Sequence, residues 1–216
     1  MSRTASSCSA APSFAPRSWY TYAGVAAAPV GTLHQDGFRL RASSAVSGYR
    51  YGGGGRASER ASYTVGDLMV GYRVALDRGT AVTAYAGGAV QSFTNRDSIT
   101  RARGTRFGGA AQLELLSFID RDWTVFAMAG YRTTWNTYFA LLRPGYEIAP
   151  GLRFGPEIAI GGKDEHRGAR FGACFCLDLS PHVGLSLSGG YQDDLRDRAG
   201  RRFNGVYGAL DARLAF

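Results

Sequence analysis

An all-β fold is predicted, an antiparallel up-and-down β-barrel of about twelve strands that spans a membrane, and three features of the chain predict it. Apolar residues recur at every second position through most of the sequence, the period of a strand with one oily and one polar face. Short turns near Arg78, Arg121, Pro150 and Pro181 alternate with longer polar connections near Gly54, Arg101, His166 and Asp197, as in a meander whose two ends face different compartments. The composition, with 30 glycines, 12 tyrosines and 12 phenylalanines in 216 residues, suits many strands and turns. No apolar run of about 18 residues is present, which excludes a transmembrane helix but not strands of about 9–11 residues.

Residues 1–18 are small, polar and proline-punctuated, without the apolar core of a secretory signal. They are expected to form a flexible tail or a degraded first strand, leaving 19–216 as the barrel domain. Strands follow at Trp19–Ala28 and at Phe38–Val46, where Phe38, Leu40 and Ala42 alternate with Arg39, Arg41 and Ser43. Leu68, Val70, Tyr72 and Val74 oppose Asp67, Gly71 and Arg73; Asp77-Arg78-Gly79 then turns the chain into Val82–Val90. Phe107, Leu113 and Leu115 alternate with Arg106, Gln112 and Glu114, and a strand from Trp123 to Trp135 carries Arg132 on its polar face.

The clearest hairpin runs from Tyr138 to Gly161. Its even positions are oily, its odd positions carry Arg143, Glu147, Arg153 and Glu157, and a turn at Pro150-Gly151 sets Glu147 opposite Arg153 and Arg143 opposite Glu157. Strands at Ala169–Leu177, Val183–Leu187 and Val206–Phe216 complete eleven. Bacterial membrane barrels have even counts, so a twelfth strand is expected before Trp19, either as a short piece around Ser13–Ser18 or upstream of this chain.

Alternation alone fits a soluble ligand-binding barrel with its oily side inward as well as a membrane barrel with that side in lipid. Three features favour lipid. Aromatics such as Trp123, Tyr131 and Trp135 fall near strand ends, as an interfacial girdle does. The rise from Trp123 to Trp135, tilted about 40°, matches the roughly 30 Å of a bilayer's apolar core. The chain closes on an alternating strand with terminal Phe216, the signal that outer-membrane barrels present for assembly. The location expected is therefore the outer membrane.

In that arrangement the lumen holds Arg39, Arg41, Asp67, Arg73, Arg106, Glu114, Arg132, Arg143, Glu147, Arg153, Glu157, Arg170, Asp178, Asp211 and Arg213. These line either a conduit for a polar substrate or a salt-bridge network bracing a narrow barrel, since buried charges require partners. The matched charges of the hairpin favour bracing.

The net charge of +8 suits an anionic neighbour, but no nucleic-acid-binding motif accompanies it, so lipopolysaccharide and outer-membrane lipid are the expected partners. Cys174 and Cys176 share one face of a strand, at the outer limit for a disulfide, and read as small packed residues; Cys8 lacks the apolar stretch of a lipoprotein site. No cofactor or metal ligand set is evident. His34 and His182 lie in turns. His166, beside Asp164 and Glu165, is the one place where a carboxylate–histidine site of a lipid-modifying or proteolytic barrel is conceivable, yet no catalytic order of residues appears, and a non-enzymatic protein is expected.

The segments GDLMVGYRV, GTRFGGAAQLELL, TYFALLRPGYEIAPGLRFGPEIAIGG, RGARFGA and NGVYGALDARLAF, with YAGVAAAPVGTLHQDGFRLR at the start, resemble the cellulose biosynthesis protein BcsS family of alphaproteobacteria, over about Trp19 to Phe216. The resemblance implies an outer-membrane barrel accessory to the production of cellulose or a related exopolysaccharide, with that polymer and its synthesis machinery as partners. It brings no catalytic residues.

Overall fold

The computed structural model describes the backbone of residues 5–15, 18–51, 59–95, 103–164, 166–180, 182–194 and 203–215. Twelve strands form one closed antiparallel barrel: β1 (Ala5–Ala15), β2 (Ser18–Ala28), β3 (Gly37–Tyr51), β4 (Glu59–Ala75), β5 (Thr80–Asn95), β6 (Gly104–Phe118), β7 (Trp123–Arg132), β8 (Thr137–Ala149), β9 (Leu152–Lys163), β10 (His166–Ser180), β11 (Val183–Asp194) and β12 (Phe203–Ala215). Each strand pairs with its neighbours in sequence, and β1 closes the ring against β12, with Cys8 opposite Leu214 and Phe14 opposite Gly208. Where the sequence left a tail or a degraded strand, an 11-residue strand stands. Closure leaves no edge whose N–H and C=O groups lack partners, the condition for crossing lipid with strands.

The oily set faces outward. Leu68 is 69 % exposed and Trp123 44 %, and Val70, Phe107, Phe171, Leu187 and Val206 are exposed beside them. Met69, Arg39, Asp67, Gln91 and Glu157 are buried on the inner face. An apolar exterior around a charged interior is the inverse of a soluble barrel, so the oily side is the lipid side.

Turn chemistry accounts for the end that carries both termini. Asp77 Oδ1 accepts from Gly79 N and Thr80 N, both at 2.7 Å, and Asp120 Oδ1 repeats this with Asp122 N (2.8 Å) and Trp123 N (2.7 Å). Ser180 Oγ does the same for His182 N and Val183 N. The β8–β9 turn needs glycine at 151, where φ is +75° and an added Cβ would lie 3.0 Å from the Asp178 carbonyl oxygen.

Three expectations need correction. The strand begun at Trp123 ends at Arg132; Trp135 sits in a tight turn (Thr134–Asn136) and points inward, 5 % exposed, so it is no part of an outer girdle. Trp135 and Asn136 have φ of 49° and 48°, the left-handed backbone of a primed hairpin turn, which sequence alternation does not reveal. The connection at His166 is not long: Lys163 pairs with His166 across a two-residue turn, so the alternation of short and long connections is broken there.

Candidate functional site: a cross-braced lumen

Inward residues of β2–β7 form one charged group. The Arg41 guanidinium pairs with Glu114, three strands away, and donates to Tyr22 Oη at 2.7 Å, while Gln112 Nε2 donates to the same Glu114 oxygen at 2.7 Å. Arg132 reaches Asp67, also three strands away, through two parallel bonds, Nε to Oδ1 at 2.8 Å and NH2 to Oδ2 at 2.6 Å. Ser43 Oγ adds a donor to Asp67 at 3.1 Å. This fork-to-fork geometry is the strongest form of an arginine–carboxylate pair.

The second group belongs to β8–β12. Arg143 bridges Glu157 on β9 and, at 3.1 Å, Asp211 on β12; Tyr207 Oη donates to Glu157 at 2.9 Å and Ser186 Oγ to Asp211 at 3.1 Å. Arg143 thus meets Glu157 as the hairpin register implies. Glu147 and Arg153 are register partners, but Arg153 is turned to Asp178, which Arg213 also approaches at 3.3 Å, and Glu147 accepts from Gly151 N instead.

These contacts decide the cross-section. A circular twelve-strand barrel has a diameter of about 24 Å at strand spacings near 4.8 Å and tilts near 40°. Strands four apart would then face each other across about 21 Å, whereas an Arg and an Asp end to end reach about 13 Å. Arg143 and Asp211 lie four strands apart and still pair, so the wall is drawn inward there. Lys163 Nζ, on β9, lies 4.2 Å from the centre of the Phe93 ring on β5, a second close approach over four strands. The recess between Asp67, Met69, Gln112, Arg132 and Phe139 has no room for a water molecule.

The remaining predicted lumen residues lie near the two mouths. Arg39, 2 % exposed, donates to the carbonyls of Phe38, Thr32, Leu33 and Gln35 and so ties the 29–36 connection across the end that carries the termini. Arg73 pairs with Asp36 of that connection at 3.4 Å. At the other end, Arg106 lies 4.9 Å from the Trp135 ring, and Arg170 bonds Gln192 at 3.1 Å and covers Tyr207. The fifteen charged positions are therefore brought into the interior and its mouths, as two braced groups rather than one continuous lining. Phe216, the expected assembly signal, lies outside the described residues, as does Glu165.

Sequence reasoning missed the inner aromatics. Tyr63 stacks on Phe93 (centroids 5.3 Å), and Phe93 meets Trp135 edge-on at 4.6 Å. Phe93 shares parity with Gln91 and Tyr85, which is the signal that places it inside; Trp135 has no such signal, because the turn resets the parity. His34 and His182 are exposed at the end that carries the termini, far in sequence and register from Asp164. Among the described residues no cluster of three metal-ligating side chains occurs.

The family model for "Cellulose biosynthesis protein BcsS" matches residues 10–216. The chain belongs to the BcsS family. None of the curated proteins compared matches the sequence. Solved structures with the same fold include an outer membrane channel from Pseudomonas putida F1 (TM-score 0.57, 12 % identity, 100 % of this chain and 96 % of that one). LpxR from Salmonella typhimurium (0.56, 11 %, 96 % and 99 %) and the KdgM porin (0.54, 7 %, 97 % and 99 %) are similar to the same extent. At these identities the likeness is one of fold. With the outward apolar surface and the BcsS family match, it makes this chain an outer-membrane β-barrel linked to cellulose biosynthesis.

Proposed function

We propose that this BcsS-family barrel is a non-enzymatic accessory of cellulose or related exopolysaccharide export, acting as a braced outer-membrane element on which the synthesis and secretion machinery assembles. The observation that carries the reading is the lumen: ion pairs that join strands three and four apart hold the walls together, the opposite of what a wide conduit for a polymer requires. Lipopolysaccharide and phospholipid are its surroundings and the exopolysaccharide apparatus its partner. The fold similarity to LpxR keeps a lipid-modifying barrel as the second reading, and the placing of His34 and His182 at the end that carries the termini, away from Asp164, speaks against it.

Deletion of the gene is expected to lower cellulose-dye binding by colonies, and the His166→Ala and Asp164→Ala variants are expected to restore it as fully as the unaltered gene. Unchanged dye binding on deletion would refute the role, and failure of the two variants to complement would favour the enzyme. Planar-bilayer recordings are expected to show at most small conductance; a large, stable pore would refute the braced lumen.

A further inference from the structure

Cys174 and Cys176 take no part in the bracing, yet they are placed as a pair. Both side chains are on the inner face of β10, both are free thiols, and their sulfurs lie 2.9 Å apart. Cys174 is buried and Cys176 half-buried. In register, Cys174 stands opposite Ser188 of β11 and Cys176 opposite Arg153 of β9. Ser188 Oγ and Arg153 Nε are both buried and both lack a hydrogen-bond partner. Buried donors of this kind are uncommon, and each asks for an acceptor. A thiol is a poor one; a thiolate is a good one.

We propose that Cys174 and Cys176 form a two-thiolate site for a soft monovalent cation, Cu(I) being the type case. Binding is balanced as two thiols plus Cu(I) giving a dithiolate–copper(I) anion and two protons released to solvent. Each sulfur then bears negative charge, and Ser188 Oγ and Arg153 Nε supply the hydrogen bonds that they now lack. The complex has a net charge of −1; the cations within electrostatic reach of it are Arg143, held by Glu157 and Asp211, and Arg153, held by Asp178, which Arg213 also approaches. Thiolate ligands select Cu(I) over harder cations such as magnesium or calcium.

The geometry favours a bridging cation over a disulfide. Residues two apart on a strand have Cα atoms about 6.4–6.8 Å apart, the extreme of the range a disulfide tolerates. A two-coordinate cation needs the sulfurs about 4.6 Å apart, twice a metal–thiolate bond of roughly 2.3 Å. That separation requires only rotation of the side chains away from their present 2.9 Å contact.

The test uses the full chain carrying Cys8→Ser, refolded in detergent under reducing, anaerobic conditions and titrated with Cu(I) held by a competing chelator. One Cu(I) per barrel is expected, with the near-ultraviolet thiolate-to-copper absorption. Cys174→Ser and Cys176→Ser, each made in the same background, are expected to weaken retention by roughly 100-fold, with heat-modifiable gel migration reporting that each variant is folded. No copper retained against the chelator, retention in either folded single variant as strong as in the parent, or a mass two units lower with no bound copper, which marks a disulfide, would each overturn the proposal.

Discussion

Removing the Asp67 carboxylate is the sharpest probe of the braced lumen. The Asp67 side chain is 2 % exposed and that of Arg132 16 %, and the two share a bidentate contact between strands three apart. In Asp67→Ala the guanidinium stays in the lumen without its counter-charge, and Ser43 loses an acceptor. Breaking a buried pair from one side costs about 3–5 kcal/mol, most of it the penalty of the charge left behind. Removing both charges avoids that penalty: Asp67→Leu with Arg132→Met is expected to fall within about 1–2 kcal/mol of the parent. The assay is reversible urea unfolding of the barrel in lipid vesicles, followed by tryptophan fluorescence and heat-modifiable migration. An Asp67→Ala barrel as stable as the parent would refute the bracing. A double variant as unstable as the single one would show that the loss comes from packing rather than from an uncompensated charge.

Further outcomes follow from the same geometry. Trp19 and Trp123 face lipid while Trp135 is buried against Phe93, so brominated lipids should quench the first two and spare the emission of a Trp19→Phe/Trp123→Phe barrel; strong quenching of that barrel would put Trp135 on the wrong side. Leu68→Arg, on the lipid face near the middle of β4, is expected to cost about 2–4 kcal/mol in vesicles, and a neutral effect would argue against a bilayer around this face. The Asp77 carboxyl in the β4–β5 turn is held below its ordinary value by the N–H groups of Gly79 and Thr80. A lowered folded-state value means that the turn's stabilisation is complete above the unfolded value near 4 and disappears as pH falls below it. Protection of the Gly79 and Thr80 amides, taken relative to their intrinsic exchange rates at each pH, should therefore fall on acidification, and Asp77→Ala should abolish that change; an unchanged profile in the variant would refute the assignment.

Much of this fold is legible in the chain because a strand exposes one face per parity. Leu68 and Asp67, or Ile158 and Glu157, are neighbours in sequence and must point to opposite sides of the wall, so the oily and charged sets separate without any knowledge of the fold. The register of Arg143 with Glu157 was readable by centring the hairpin on Pro150; the two-residue turn itself pairs Ala149 with Leu152, and an irregularity between Glu147 and Ala149 restores that register. Parity fails where the chain leaves the strand. The left-handed backbone at Trp135 and Asn136 turns a residue that reads as an outer aromatic into an inner one. The two-residue link before His166 is masked by its charged composition, which looks like a long loop.

The sequence by itself determined alternating strands, their number to within one, and the separation of an oily face from a charged one. Those follow from local periodicity; that the oily face is the outward one is fixed by the closed barrel. Only the tertiary structure decided which charges meet. Arg41 with Glu114, Asp67 with Arg132 and Arg143 with Asp211 join residues 65 to 73 apart in sequence, and Arg153 leaves its register partner Glu147 for Asp178. Closure of the barrel and the inward draw of its walls bring these groups within reach, and a distance across a lumen has no counterpart in local sequence.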